Sequence, residues 1–340
     1  MVSMKDISLA CGVSVATVSK ALNDHSDIGE ATKKLVRDTA RKMGYFPNAS
    51  AKQLKTNKSN NIGVLFRDEA GSGLTHDFYA NILESLKVRS EEKGYDITFI
   101  NTNKKALGMT YLEHCRYRGF DGVAIACARY DDPEVIELTQ GDLPLVTVDH
   151  TFENRTAIIS DNAKGMRDLT TYICGECGHK DIAYIHGDMS TVTKNRVESF
   201  KLTMKDFGIE VPPEYIAVGK YRDYELCTKI AKGFLEMKNP PTCIICPDDF
   251  SAIGVIIALS SMGLKVPEDI SVAGYDGINI TKAFAPRLTT IRQNTGEMGR
   301  QLADSLISTI ERKNSATTLR IVVEGTLIKG ESVRSLKDNG

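Results

Sequence analysis

No stretch of this 340-residue chain stays apolar for the length of a membrane span, and no charged-then-apolar leader opens it. Both absences point to a protein of the cytoplasm. Neither charge dominates: 43 Lys/Arg stand against 44 Asp/Glu, a net of −1. Apolar and charged fractions are ordinary for a folded protein, which argues against disorder. Catalytic signatures are missing as well. There is no Gly-x-Ser-x-Gly elbow, no His-Glu-x-x-His and no phosphate loop, and Gly71-Ser-Gly73 lacks the third glycine of a dinucleotide fingerprint. Asp248-Asp249 makes a poor acid/base pair because adjacent side chains point apart. Neither an enzyme nor a cofactor is expected.

Eight cysteines are present, and Cys174-x-x-Cys177 with Cys243-x-x-Cys246 has the look of a metal or redox spacing. Cys243 and Cys246, however, sit in a buried-strand pattern whose alternation sends them to opposite faces, so they cannot close on one ion. Small-hydrophobe roles are expected, with no metal and no structural disulfide.

The charge that is present is unevenly spread. Residues 1–58 carry ten Lys/Arg against five Asp/Glu, and the remainder 33 against 39. A basic head on an acidic body suits a polyanion-binding module joined to something else. Within that head, Ile7, Ala10 and Cys11 share one helical face, and Val18, Ala21 and Leu22 share another. Gly12 between them permits a sharp reversal, and Ser14 is placed to cap the second helix. These are the ingredients of a helix-turn-helix, whose second helix enters the DNA major groove. Its outward face carries Val15, Ala16, Thr17, Ser19, Lys20 and Asn23, short groups with one cation, which together with Ser14 form the candidate DNA-reading set. A third helix over about 30–43, with Ala31, Leu35, Thr39 and Met43 recurring at i+4 beside Val36 and Ala40, packs across the first two and ends at Gly44. Thr32 near its start can face a phosphate.

The residues Lys5-Asp6-Ile7, Gly12-Val13-Ser14, Ala16-Thr17-Val18-Ser19-Lys20, Gly44-Tyr45-Phe46-Pro47-Asn48 and Ala51-Lys52-Gln53-Leu54 make this head resemble that of the LacI–GalR family of bacterial transcription regulators. Pro47 stops the third helix and Asn48 can cap a short one over 49–55. The resemblance implies that this segment folds on the operator beside its twin from a second subunit. Leu54 would wedge into the minor groove with Lys55 beside it, and Tyr45, Asn48 and Ala51 would join the DNA-binding set. Lys20 stands where the family more often has arginine and loses the bidentate fork to guanine.

From Ile62 onward, strand and helix patterns alternate, with strands expected at 62–66, 96–100, 122–126, 145–148, 158–160, 182–185, 215–218, 242–246 and 270–273. Repeated β-α units imply parallel sheets covered on both faces. Gly178-His179-Lys180-Asp181-Ile182-Ala183, Gly274-Tyr275-Asp276 and Pro286-Arg287-Leu288-Thr289-Thr290-Ile291 extend the resemblance. It implies a small all-α helix-turn-helix head (1–46) and hinge helix (47–60), joined to an α/β two-lobed periplasmic-binding-protein-like domain (61–340). The N-lobe is expected at about 62–161 and 292–320, and the C-lobe at about 162–291 and 321–335.

Ligands of such sheets bind at strand carboxyl ends. Asp149, Asp248 and Asp276 follow strands, and Arg196 lies near a helix start. Carboxylates accept from vicinal hydroxyls and a guanidinium donates a fixed fork, which suits a neutral polyhydroxy ligand. Asp249 reads better as a helix cap. The resemblance supports Arg196, Asp248 and Asp276, and adds Phe78, Tyr79 and Tyr221 as aromatic walls and Gln293 at a lobe crossing. The loop 67–77 is several residues longer than the family's usual turn. The expected function is a sugar-responsive repressor, a homodimer on a near-palindromic DNA operator. The alternatives are a regulator answering to a partner protein through a degenerate cleft, and a sugar-processing enzyme on the same scaffold.

Overall fold

A computed structural model describes residues 2–46, 58–103, 108–312 and 318–337, and the chain divides into two compact units, 1–59 and 60–340. Among the described residues, no helix is long and apolar enough to cross a membrane.

Among the described residues, the first unit has three helices, α1 (Met4–Cys11), α2 (Val15–Leu22) and α3 (Glu30–Lys42). A capping box between Ser3 and Asp6 starts α1, and Gly12 ends it at φ 67°, a left-handed turn that a side chain would strain. Ile7, Val18, Ala21, Val36 and Ala40 form the core, each fully or almost fully buried and contributing roughly 1.5–3 kcal/mol when aliphatic and large. Two expectations of face are corrected here. Ala10 is exposed, and so is Leu35 at 49%. The third helix turns Val36 and Ala40 inward with Met43 packed beside them, as expected, and leaves Leu35 on the outer side.

The second unit holds two parallel sheets. The first has β1 (Asn61–Phe66), β2 (Asp96–Phe99), β3 (Gly122–Cys127), β4 (Leu145–Val148), β5 (Thr156–Ser160) and a late strand, Arg320–Val323, in the order late–β5–β4–β3–β1–β2. The second has β6 (Ile182–His186), β7 (Ile216–Val218), β8 (Cys243–Ile245) and β9 (Ser271–Ala273), in the order β7–β6–β8–β9. Then β10 (Thr290–Arg292) and β12 (Thr326–Ile328) pair antiparallel, with the late strand, β11, between them in sequence.

Helices cover both sheets: α4 (Asp77–Glu92), α5 (Tyr111–Arg118), α6 (Pro133–Gln140), α7 (Asn162–Thr171), α8 (Thr191–Asp206), α9 (Tyr224–Leu235), α10 (Asp249–Ser261) and α11 (Thr295–Glu311). Along β1 and β3, Val64 and Ala124 face α4 and α11, while Leu65 and Ile125 face α5 and α6. Two-sided burial is why these strands read as unbroken apolar runs. Gly299 lets α11 press on α4, since a Cβ there would overlap the Ile82 carbonyl.

The expected lobe boundary at 320/321 falls inside β11, which pairs in parallel with β5 from Arg320↔Ala157 to Val323↔Ser160 and so belongs to the first sheet. Free edge hydrogen bonds on β5 recruit it. Strands β10 to β12 were not among the expected strands. Helix α7 ends at Thr171 and continues as a π turn, Tyr172–Glu176. Cys243 and Cys246 fall in different cores, on opposite sides of β8, and the eight cysteines are free.

Candidate functional site

In the head, the Ser14 hydroxyl accepts from the Thr17 N–H (3.0 Å), so the residue expected at the DNA surface is also the cap of α2. Val15, Ala16, Lys20 and Asn23 are exposed, Thr17, Ser19 and Thr32 half-buried. The Lys20 ammonium pairs with Asp27 at 2.5 Å, and that hydrogen bond holds the Asp27 carboxyl below its ordinary range. The Asn23 amide donates to the Ser19 carbonyl (2.7 Å). Tyr45 packs against the small core rather than projecting freely. Asn48, Ala51, Leu54 and Lys55 lie outside the described residues.

In the second unit a cavity of about 290 Å³ opens at the strand ends, and Phe78, Tyr79, Asp149, Arg196, Tyr221, Asp276 and Gln293 all line it. Arg196 is its most constrained member. Its Nε donates to Asn162 Oδ1 (2.7 Å), one terminal nitrogen to the Pro247 carbonyl (3.3 Å), and its plane lies 3.6 Å over the Tyr275 ring. Gly165 leaves room for the Tyr275 hydroxyl, which a Cβ there would strike. Asp276 is 3.9 Å from Arg196 and adopts φ 107°. Burial raises its carboxyl to about 7, against the opposing pull of the Arg196 charge. Gln293 donates to Asp276 Oδ1 (2.7 Å), while its own buried Oε1 has no hydrogen-bond partner among the described residues. An unpaired buried acceptor carries a desolvation cost, and a ligand donor would remove it.

Asp149 is a clamp as well as a wall: it accepts from the Ser160 N–H (2.6 Å) and hydroxyl (3.3 Å), and burial raises its carboxyl. Tyr221 shares a hydrogen bond with Thr193 (2.9 Å).

Asp248 does not line the cavity. Its carboxylate caps α10, accepting from the Ser251 N–H (2.8 Å) and hydroxyl (3.1 Å), and takes the Arg222 N–H (2.8 Å). Being first out of β8, it meets the start of α10 before it can reach the cleft. Asp249, expected as the cap, lies one turn position inward, accepting from Thr290 (2.6 Å) and the Ile278 N–H (2.9 Å). Asp248 thus takes the cap role expected of Asp249, while Asp249 is tied to the 278–290 segment and lines no part of the cavity, and only the tertiary path of that segment decides this.

Unexpected walls are His76, Cys127, Tyr130 and His150. Tyr130 and His150 stack at 4.1 Å with planes 6° apart, and the Tyr130 hydroxyl donates to Val148. Both follow strands, so the strand-end rule that found Asp149 also reaches them. Among the described residues no cluster of three or more His, Cys, Asp or Glu could hold a metal.

A family model described as bacterial regulatory proteins, lacI family, matches residues 3–48, and one described as periplasmic binding protein-like domain matches 174–333. An HTH-type transcriptional repressor PurR of Pasteurella multocida is 31% identical, covering 98% of this chain and 99% of its own. A solved lac repressor dimer bound to operator and the anti-inducer ONPF has a TM-score of 0.83 at 23% identity, covering 98% and 99%. A regulator CelR–cellobiose complex has 0.72 at 22%, covering 98% and 100%. These two neighbours share the fold. Matched end to end by a repressor relative and at its head by the family model, the chain belongs to the lacI family of bacterial regulatory proteins, DNA-binding transcriptional repressors rather than enzymes.

Proposed function

We propose that this repressor is a cytoplasmic homodimer whose operator affinity is set by a neutral, hydroxyl-rich small molecule, a sugar, bound in the cleft. The observation that carries the reading is the cluster of Arg196, Asp276 and Gln293. It offers a fixed donor fork, a carboxylate and a vacant buried acceptor within one cavity, the pattern that vicinal hydroxyls complete. Phe78, Tyr79 and Tyr221 supply faces for the apolar side of a sugar ring. The solved CelR neighbour holds cellobiose on the same fold. In the head, Ser14, Val15, Ala16, Thr17, Ser19, Lys20 and Asn23 would read bases, and Thr32 would meet a phosphate. Across the dimer, two such helices would occupy major grooves about 34 Å apart. Residues 47–60, the hinge, would connect the units, with Leu54 as the minor-groove wedge and Tyr45, Asn48, Ala51 and Lys55 beside it.

A second reading has its own observation. The flat Tyr130–His150 pair on the cleft wall would also take a planar heterocycle such as a purine base.

Thermal unfolding against a panel of neutral sugars and purine bases, followed by operator-binding titration with each hit, tests both. A ligand at a hundred times its Kd adds roughly 2.7 kcal/mol of stability. A sugar that shifts both unfolding and operator affinity supports the first reading, and a purine that does so replaces it. No response to either class would turn attention to a protein partner. Arg196→Ala should abolish the response while operator binding survives in one state. Sedimentation equilibrium of the full chain reads the dimer.

A further inference from the structure

The long loop Arg67–Asp77 between β1 and α4 has no part in the reading above. Asp68 organises it: its carboxylate accepts from the backbone N–H groups of Ala70 (3.0 Å), Ser72 (2.8 Å) and Gly73 (3.0 Å), which fixes the tip. Facing it from the other lobe is Arg222, which follows β7 at φ 59°, a left-handed conformation costly for a side chain of this size. Two contacts and burial hold it there. Its N–H donates to the Asp248 cap (2.8 Å), its guanidinium lies 4.6 Å over the Phe250 ring, and its side chain is only 13% exposed. From that anchored position Nε donates to Ser72 Oγ (2.9 Å) and a terminal nitrogen to Asp77 Oδ2 (3.3 Å). Both acceptors belong to the first lobe. Beside them, buried His76 lines the cavity with its Nδ1 unpartnered among the described residues.

We propose that Arg222 is the latch of the cleft. It ties the 67–77 loop across to the second lobe, so that any effector enters or leaves only when the Arg222–Ser72–Asp77 tie is broken. Arg222 is a positioning residue that need not touch the ligand. It governs how long the ligand is held, and a loop longer than a turn requires is what brings Ser72 and Asp77 within its reach. The role as a ligand gate rests on the effector reading above, whereas the tie itself does not.

The test therefore uses the effector-free full chain. Cys127 lines the same cavity and is partly accessible, so its alkylation by iodoacetamide, read by peptide mass spectrometry, reports cleft opening. Cys11 in the head is the internal control. Arg222→Gln and Asp77→Asn should each speed Cys127 labelling about tenfold, the size expected for one charge-assisted hydrogen bond. The double variant should add little, Arg222→Lys should restore part of the protection, and Cys11 labelling should not change. Unchanged Cys127 labelling in either folded variant, or fully additive effects, overturns the latch. If Arg222→Gln also exposes the buried Cys174 and Cys243, it has unfolded the lobe. Asp77→Asn and Ser72→Ala then decide: faster Cys127 labelling supports the tie and unchanged labelling overturns it. Since no effector is present, failure here leaves the effector reading standing, and failure of that reading leaves this result interpretable.

Discussion

At the residue scale, the cleft is governed by what burial does to charge. Asp276 has its carboxyl held up at about 7, against an ordinary value of 3.8, by burial that the Arg196 guanidinium only partly offsets. The folded chain thus keeps a proton that the unfolded chain loses near 4. Ionising the group in the folded state is costly, so its contribution to stability falls as pH rises from about 4 to about 7 and is level above. Asp276→Asn keeps an acceptor for Gln293 and has nothing to ionise. Urea unfolding at about pH 5 and about pH 8 should show wild type losing more stability over that interval than the variant. A hydroxyl-bearing ligand that donates to the carboxylate should bind more tightly above pH 7 in the wild type only. Arg196, pinned by Asn162, Pro247 and Tyr275, is not replaceable by lysine, which lacks the planar fork.

At the scale of the element, helix starts and close crossings matter most. Asp248 satisfies the first turn of α10 and the Arg222 N–H at once, so Asp248→Ala should cost about 1–3 kcal/mol in denaturant unfolding. A ligand contact without structural weight would leave stability untouched and weaken binding alone. Gly299 lies where α11 meets the Ile82 carbonyl of α4. Gly299→Ala must force that backbone apart, and should destabilise the second unit by about 1–3 kcal/mol despite alanine's better helix propensity. A gain in melting temperature would mean the crossing has slack. In the head, Ser14→Ala should cost about 1 kcal/mol, visible as lost hydrogen-exchange protection at Thr17 and Val18.

At the scale of the whole molecule, a basic head and an acidic body divide the labour: one part is drawn to a polyanion and the other is repelled by it. Coupling between effector and operator needs only about 1–3 kcal/mol. Leu54→Ala should weaken operator binding measured by fluorescence anisotropy, leaving effector affinity as it is. Equal operator affinity of variant and parent would remove the wedge from the proposal.

What was legible in the sequence was local. The Gly12 turn, the Ser14 cap, the end of α3 at Gly44 and the alternation that parts Cys243 from Cys246 each depend on groups a few residues apart, and their geometry follows from chain stereochemistry alone. The Arg196, Asp276 and Gln293 positions were also legible, through strand ends and the family resemblance. Tertiary structure decided whatever depends on partners far along the chain. Asp248 and Asp249 are chemically identical neighbours, and what parts them is that Thr290 and Ile278 come to lie beside one and the Arg222 N–H beside the other. The lobe to which β11 belongs was set by the free edge of β5, some 160 residues earlier. The reach of Arg222 to Ser72 and Asp77 joins residues about 150 positions apart. Periodicity and caps carry no information over such distances, because the interactions that fix these features do not exist until folding brings the distant segments together.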